Sequence, residues 1–457
     1  MEIPTPSMLN GHVVAIPYPT RGHINPMMNL CKHLASSSAS LLITVVVTQE
    51  WLGFIGSDPK PNNIHFATIS NDVVPLQHQI IADIPAFFLA TITNIEAPFE
   101  EMLNRLHPPV TAIIGDLELK FPVAVARRRN IPVALLWTMS SSFYLMMHRL
   151  GSFALNRRLE VNLLDDYGEH IQGISSSQLA DLRVMLHQND LRFLQLGLEC
   201  LSTVPKADCL IVNTIQELEA EEIKSLKTLL NFPIYPIAFP YFKHETSHSV
   251  TYSDSKPDYI NWLDSQPAMS VLYISLGSFL SVSPNQMNEI VSALNTSQIP
   301  YFWVALEEVS WLKNKCGDSG FVVPWCDQLK VLSHPSIGGF WSHCGWNSTL
   351  EAVFAGVPML TFPLFFDQVP NSRKILEVWR NGLELKKSVL GSEELITQEL
   401  ILEVIRKLMD YGSVKGKEIR ERAQEVKGIC DQAVAKGGSS NTNLNLFIED
   451  FLCVQGH

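Results

Sequence analysis

The chain has 457 residues, 46% apolar and 18% charged, enough for two or more domains with their own cores and too apolar for extensive disorder. Its 34 Lys and Arg against 46 Asp and Glu give a formal net charge of −12, so no bulk basic field draws in nucleic acid, and an anionic ligand needs a local device. Eight cysteines are scattered without a CxxC pair, the opening residues show no leader pattern, and no apolar run approaches the ~18–20 residues of a membrane span, so the expectation is a cytoplasmic protein with reduced thiols.

Along the chain, β-branched runs at 12–16, 41–47, 110–114 and 133–137 alternate with segments of helical period, which predicts buried parallel strands and a doubly wound α/β fold. Residues 235–256 carry Pro, Ser, Thr and His without periodicity, the composition of an exposed connection, and put a boundary near residue 245. A second series at 270–275, 301–305, 337–341 and 358–361 builds another α/β half. Residues 415–436 read as a charged amphipathic helix, Gly437-Gly438-Ser439-Ser440 breaks it, and Leu444, Phe447, Phe451 and Leu452 share one face of a last helix. The expected domains are 1–244 and 245–440, followed by a closing helix, 441–457.

Ligands of open parallel sheets sit outside the carboxyl ends of the strands, which singles out two loops. The first, Pro17-Tyr18-Pro19-Thr20-Arg21-Gly22-His23, leads into a helical pattern for which Asn25 is the expected N-cap and Pro26 the first helical residue. His23, at this strand-to-helix switch, is either a base for a substrate hydroxyl or an ordinary surface histidine. A base needs a carboxylate on its other ring nitrogen. Asp116, ending another strand, is the candidate, and its competing role is an N-cap.

The second loop, Trp341-Ser342-His343-Cys344-Gly345-Trp346-Asn347-Ser348-Thr349-Leu350-Glu351, follows a strand and opens a helix that stops near Gly356. A helix N-terminus offers free N–H groups and partial positive charge, which suits phosphate; Gly345 permits close approach, and His343, Asn347 and Ser348 add donors. Ser348 and Glu351 equally fit a capping box. Ser275-Leu276-Gly277-Ser278 repeats the strand-to-turn logic. Cys326, His334, His343 and Cys344 fall on different expected elements without zinc spacing, so no metal is expected.

The 44 residues from Trp325 to Gln368, WCDQLKVLSHPSIGGFWSHCGWNSTLEAVFAGVPMLTFPLFFDQ, resemble end to end the signature box of plant UDP-dependent glycosyltransferases. The resemblance extends to the Gly-His-x-x-Pro of residues 22–26, to Asp116, to Trp262-Leu263-Asp264 and to Gly277-Ser278, and so spans nearly the whole chain. It implies a GT-B fold, two Rossmann-like domains facing across a cleft, with the last helix returning to the N-terminal, acceptor-binding domain. By matching position, Trp325 stacks on uracil while Cys326 and Gln328 hold its edge, and Glu351 accepts from the ribose hydroxyls. His343, Gly345, Asn347, Ser348 and Ser278 face the phosphates; Asp367 and Gln368, aided by Trp346, hold the sugar hydroxyls, and Thr138 touches the sugar or its phosphate.

The implied reaction is inverting transfer of a hexose from a UDP-sugar: His23, oriented by Asp116, deprotonates an acceptor hydroxyl that attacks the anomeric carbon as UDP departs. Trp346 and the terminal Gln368 resemble the pattern of glucose users, so UDP-glucose is the expected donor and co-substrate, with no cofactor, to a monomer acting on a small lipophilic phenolic, flavonoid or terpenoid acceptor. Candidates to line an apolar acceptor pocket are Phe88, Met139, Phe143, Met146, Met147 and Phe193. The chain has no Asp-x-Asp metal clamp, and after Asp116 the run Leu117-Glu118-Leu119-Lys120 replaces a commonly aromatic-rich stretch. A catalytically silent small-molecule binder of the same fold is the alternative; a Rossmann oxidoreductase would need GxGxxG followed by a ribose-binding acid, and neither is visible.

Overall fold

Strands too apolar to alternate need a sheet covered on both faces, and helices between them supply the cover. In the computed structural model, the described residues are 11–70, 72, 84–154, 171, 173–188, 191–240, 257–277, 282–305, 309–317, 319–386 and 395–453. They divide into two units, Met1–Phe239 with Gln432–His457, and Pro240–Asp431. The unit boundaries thus fall at 239/240 and 431/432, where composition pointed to 244/245 and 440/441.

Unit 1 holds β1 (Gly11–Ile16), β2 (Leu41–Thr48), β3 (Ile64–Ile69), β4 (Ala112–Asp116), β5 (Val133–Trp137), β6 (Cys209–Val212) and β7 (Ile234–Pro236). Among the described residues they form a seven-stranded parallel sheet in the order β3-β2-β1-β4-β5-β6-β7. Order reverses between β1 and β4, which pair directly with Ile16 opposite Gly115. The loops after these two strands therefore diverge to opposite faces and leave a crevice at their carboxyl ends.

Unit 2 repeats the plan with β8 (Val271–Ser275), β9 (Tyr301–Val304), β10 (Gly320–Val323), β11 (Ile337–Ser342), β12 (Met359–Thr361) and β13 (Gly382–Glu384), ordered β10-β9-β8-β11-β12-β13. Here the reversal lies between β8 and β11, with Ser275 opposite Ser342. Both sheets with their helices make the two Rossmann-like domains of a GT-B protein. No helix among the described residues is long and apolar enough to cross a membrane.

The chain end belongs to unit 1. Beyond Gly437, whose φ of +82° suits only glycine well, the helix Ser439–Phe447 and its continuation bury Leu444, Phe447, Phe451 and Leu452 in the same apolar cluster as Val13, Ile43 and Ile114. Tyr235 packs edge-on to Phe447 with ring centroids 5.5 Å apart, and its hydroxyl donates to Asp450 Oδ2 at 2.9 Å. Removing a fully buried ring costs transfer energy plus the cavity left behind. Phe447→Ala should therefore destabilise unit 1 by about 3–5 kcal/mol, whereas Leu446→Ala, on the exposed face of the same helix, should cost no more than about 0.5 kcal/mol; urea unfolding of the two variants checks the contrast.

Candidate functional site

The loop after β1 is short and pinned at several points. Trp51, buried in the unit 1 core, donates its indole N–H to the Pro19 carbonyl at 2.8 Å. The following helix, Arg21–Ser37, starts five residues earlier than expected from sequence: Thr20, not Asn25, is its N-cap, and the Thr20 carbonyl accepts from both His23 and Ile24 N–H. Pro26 sits inside the helix, past its first four amides, so it has no N–H to give to the carbonyl four residues earlier. His23 thus lies in the rigid first turn of a helix, facing the switch point.

There it meets Asp116. His23 Nδ1 is 2.9 Å from Asp116 Oδ2, and the carboxylate is almost fully buried. The same Oδ2 accepts from the Tyr18 amide at 3.2 Å, and Oδ1 accepts from the Glu118 amide at 3.0 Å. Asp116 is not a helix cap, because the next helix, Phe121–Arg129, begins after Lys120. Thr138, just beyond β5, brings its hydroxyl to 3.1 Å from His23 Nδ1. An ionised Asp116 only accepts, so it fixes the neutral ring with hydrogen on Nδ1 and the lone pair on Nε2. Nearby Tyr18 is no rival base: burial pushes its hydroxyl well above the ordinary value of 10.

Of the proposed acceptor-lining residues, Phe143, Met146 and Met147 are fully buried core, while Phe88 packs 5.4 Å from Tyr18 and 5.1 Å from Phe193, beside the histidine. Glu219 escaped the sequence reading. It is wholly buried and accepts from the amides of Ser141 and Ser142 at 2.8 and 3.2 Å and from the Thr214 hydroxyl at 2.8 Å. A carboxylate 78 residues away in sequence thereby caps the helix Ser141–Ala154 and anchors the loop that carries Thr138.

In unit 2, β11 turns into the helix Trp346–Ala355 through Cys344, a non-glycine residue at φ +66°, with Gly345, which has no side chain to cap with, as N-cap. The Ser342 hydroxyl accepts from the Cys344 amide at 3.0 Å, and Asn371 Nδ2 donates to the Cys344 carbonyl at 3.0 Å. Asn371 Nδ2 also reaches Asp367 Oδ2 at 2.8 Å, so one side chain ties Asp367 to this turn. Gln368 is oriented by the Leu364 and Phe365 amides, which donate to its Oε1 at 2.8 and 2.9 Å.

His343 lies between two glycines. A Cβ on Gly345 would come within 2.5 Å of His343 Nε2, and one on Gly277, at φ +93°, within 3.1 Å. Burial lowers the His343 pKa to about 4, the Ser275 carbonyl opposing, so near neutrality the ring is an uncharged donor and acceptor. Ser278 lies outside the described residues. The Trp346 indole is buried beside Trp379 with centroids 6.2 Å apart, and the residue stands at the first helical position.

The remaining residues form one corner. Trp325 is 45% exposed, an unusual position for a large aromatic and one suited to stacking, while Cys326 is buried. The Tyr273 hydroxyl donates to Gln328 Oε1 at 2.9 Å, and Gln328 Nε2 donates to Ser348 Oγ at 2.9 Å and Glu351 Oε2 at 2.5 Å. The capping-box alternative for Ser348 and Glu351 therefore fails, since both lie within the helix and turn toward Gln328.

Two Rossmann-like domains, one carrying a His–Asp pair at its switch point and the other a glycine-capped helix N-terminus at its own switch point and an exposed tryptophan, fit the class of GT-B sugar-nucleotide transferases. Comparison with known proteins agrees. The profile described as "UDP-glucoronosyl and UDP-glucosyl transferase" matches residues 178–409. The chain is 45% identical to UDP-glycosyltransferase 87A2 of Arabidopsis thaliana, covering 96% of each chain, and 31% identical to 7-deoxyloganetin glucosyltransferase of Catharanthus roseus, again covering 96% of each. Its fold matches Os79 from O. sativa in complex with UDP at a TM-score of 0.80 and 24% identity, over 96% of this chain and 99% of that one. The chain belongs to the UDP-glycosyltransferase family and is a UDP-glycosyltransferase.

Burial raises the Glu351 pKa from its ordinary 4.5 to about 7, the Gln328 hydrogen bond and the Asp327 charge following as smaller opposing and reinforcing influences. Below about pH 4.5 the carboxyl is protonated in both folded and unfolded chains. As pH rises toward 7 the unfolded chain ionises first, so the folded state binds more protons and unit 2 loses stability, on the order of 3 kcal/mol in all. Urea unfolding between about pH 5 and pH 8 should show this loss in the wild type and not in Glu351→Gln; parallel profiles would count against a buried neutral carboxyl.

Proposed function

We propose that the enzyme transfers glucose from UDP-glucose to a hydroxyl of a small lipophilic acceptor, such as a phenolic, flavonoid or terpenoid, with inversion and without a metal. The observation that carries this reading is the 2.9 Å contact of His23 Nδ1 with the buried Asp116 carboxylate, which leaves Nε2 as the basic atom. The acceptor O–H gives its proton to Nε2 as its oxygen bonds to the anomeric carbon; the bond from that carbon to the β-phosphate oxygen breaks, and UDP leaves with the electron pair. Asp116 stabilises the imidazolium so formed. Back-side displacement of this kind inverts the anomeric centre.

On the donor, Trp325 stacks on uracil, with Cys326 and Gln328 at its edge, and Glu351 accepts from the ribose. The amides of 346–348, with His343, Asn347, Ser348 and Ser278, receive the charge that develops on the departing diphosphate. These donors are neutral and held before the reaction begins, so they need no metal counter-charge and little reorganisation. Asp367 and Gln368 hold sugar hydroxyls; Thr138 touches the sugar or its phosphate. Glucose is supported by the pattern of Trp346 and Gln368 and by the glucosyltransferase name of the Catharanthus relative.

His23→Ala should lower transfer by at least about 10²-fold while leaving UDP affinity within about threefold, because base and nucleotide groups belong to different units. Product formation from UDP-glucose, followed by mass spectrometry with a panel of phenols and alcohols, measures the first effect, and calorimetric UDP titration the second. Unchanged turnover would remove His23 from its role. EDTA should leave the wild-type rate within about twofold; a larger loss restored by a divalent cation would overturn the metal-free route.

A further inference from the structure

The run Leu117-Glu118-Leu119-Lys120 follows Asp116 directly, and one of its residues reaches the reactive edge of the histidine. Glu118 Oε2 lies 3.5 Å from His23 Nε2, and both side chains are only 13% exposed. The carboxylate is held there from its backbone: the Glu118 amide donates to Asp116 Oδ1 at 3.0 Å, and its carbonyl accepts from Cys200 Sγ at 3.3 Å. Lys120, the nearest cation in sequence, forms its ion pair with Glu199 at 3.0 Å. The imidazole is thus bracketed by carboxylates, Asp116 on Nδ1 and Glu118 beside Nε2.

We infer that Glu118 selects acceptors carrying two adjacent hydrogen-bond donors, such as vicinal diols and catechols, and rejects anionic ones. The inference rests on His23 being the acceptor base. A hydroxyl placed against Nε2 puts the substituent on the neighbouring carbon within reach of Glu118 Oε2, since adjacent hydroxyl oxygens lie about 2.7–3 Å apart, the span of a hydrogen bond. A second O–H there donates to a carboxylate shielded from water, a charge-assisted bond stronger than a neutral one. A single hydroxyl makes only the first contact. An acceptor carboxylate meets a second negative charge at short range in a largely enclosed place, which costs more than the same encounter in water. Glu118 is a specificity-determining residue: it takes no proton from the reacting hydroxyl, and its bond to the second hydroxyl leaves that proton in place.

The test pairs catechol and phenol acceptors on one aryl scaffold with the matching benzoate, measured in both transfer and equilibrium binding. Wild type should prefer the catechol over the phenol by at least about tenfold in kcat/KM and in Kd, the factor that one charge-assisted hydrogen bond carries. Glu118→Gln should shrink that ratio to about threefold or less and improve the benzoate relative to the phenol, and Glu118→Asp should recover part of the preference. A ratio unchanged in Glu118→Gln, with the acceptors still bound, overturns the inference. Undiminished transfer by His23→Ala, with the Glu118-dependent catechol preference in Kd intact, would overturn the base assignment and leave the selectivity standing, so the two failures are distinguishable.

Discussion

The buried carboxylate of Asp116 joins the two halves of the unit 1 crevice. It receives an amide from the loop after β1, an amide from its own loop and the imidazole of His23, so three separate stretches are positioned by one group with two oxygens. Its partners satisfy it, which is why a charge can be kept so far from solvent. The geometry follows from topology: only where strand order reverses do adjacent strands send their loops to opposite faces, and β1 and β4 are that pair.

Unit 2 uses the same reversal for a different purpose. On the proposed reading, the diphosphate of the donor is received by a segment, Trp325 to Gln368, that holds a single lysine against three carboxylates. Attraction for an anion there would come from the helix N-terminus behind Gly345 and from an imidazole kept neutral by burial. Oriented dipoles in a shielded place do not need net charge. Cys344 holds a positive φ in the turn before that helix, and Asn371 braces the turn while reaching Asp367, so one side chain ties the two together.

How far the sequence could be read depended on the length and burial of each element. The central strands β1, β2, β4, β5, β8, β9, β11 and β12 were legible within two residues because they are continuous apolar runs. Those not foreseen were β3, β7, β10 and β13, the four sheet edges, together with the four-residue β6. Edge strands are short or partly exposed and leave little periodic signal; the three residues of β7 end in proline, tolerated because they have no outer neighbour. The cap of the helix after β1 falls at Thr20 and not at Asn25. The segment offers two residues of capping type, Thr20 and Asn25, and residue type alone does not choose between them.

The sequence by itself determined the two α/β halves, the family through its 44-residue box, and the His23 and Asp116 candidates, because strand runs and strand-to-turn motifs are local in the chain. Tertiary structure decided which of the competing local roles was real: Asp116 pairs with a histidine instead of capping a helix, and Ser348 and Glu351 turn to Gln328 instead of closing a capping box. It alone revealed Glu219, Asn371 and the approach of Glu118 to Nε2. Each depends on atoms brought together by strand pairing or burial, and hydrogen-bond partners and local dielectric are properties of that packing, which residue order does not carry.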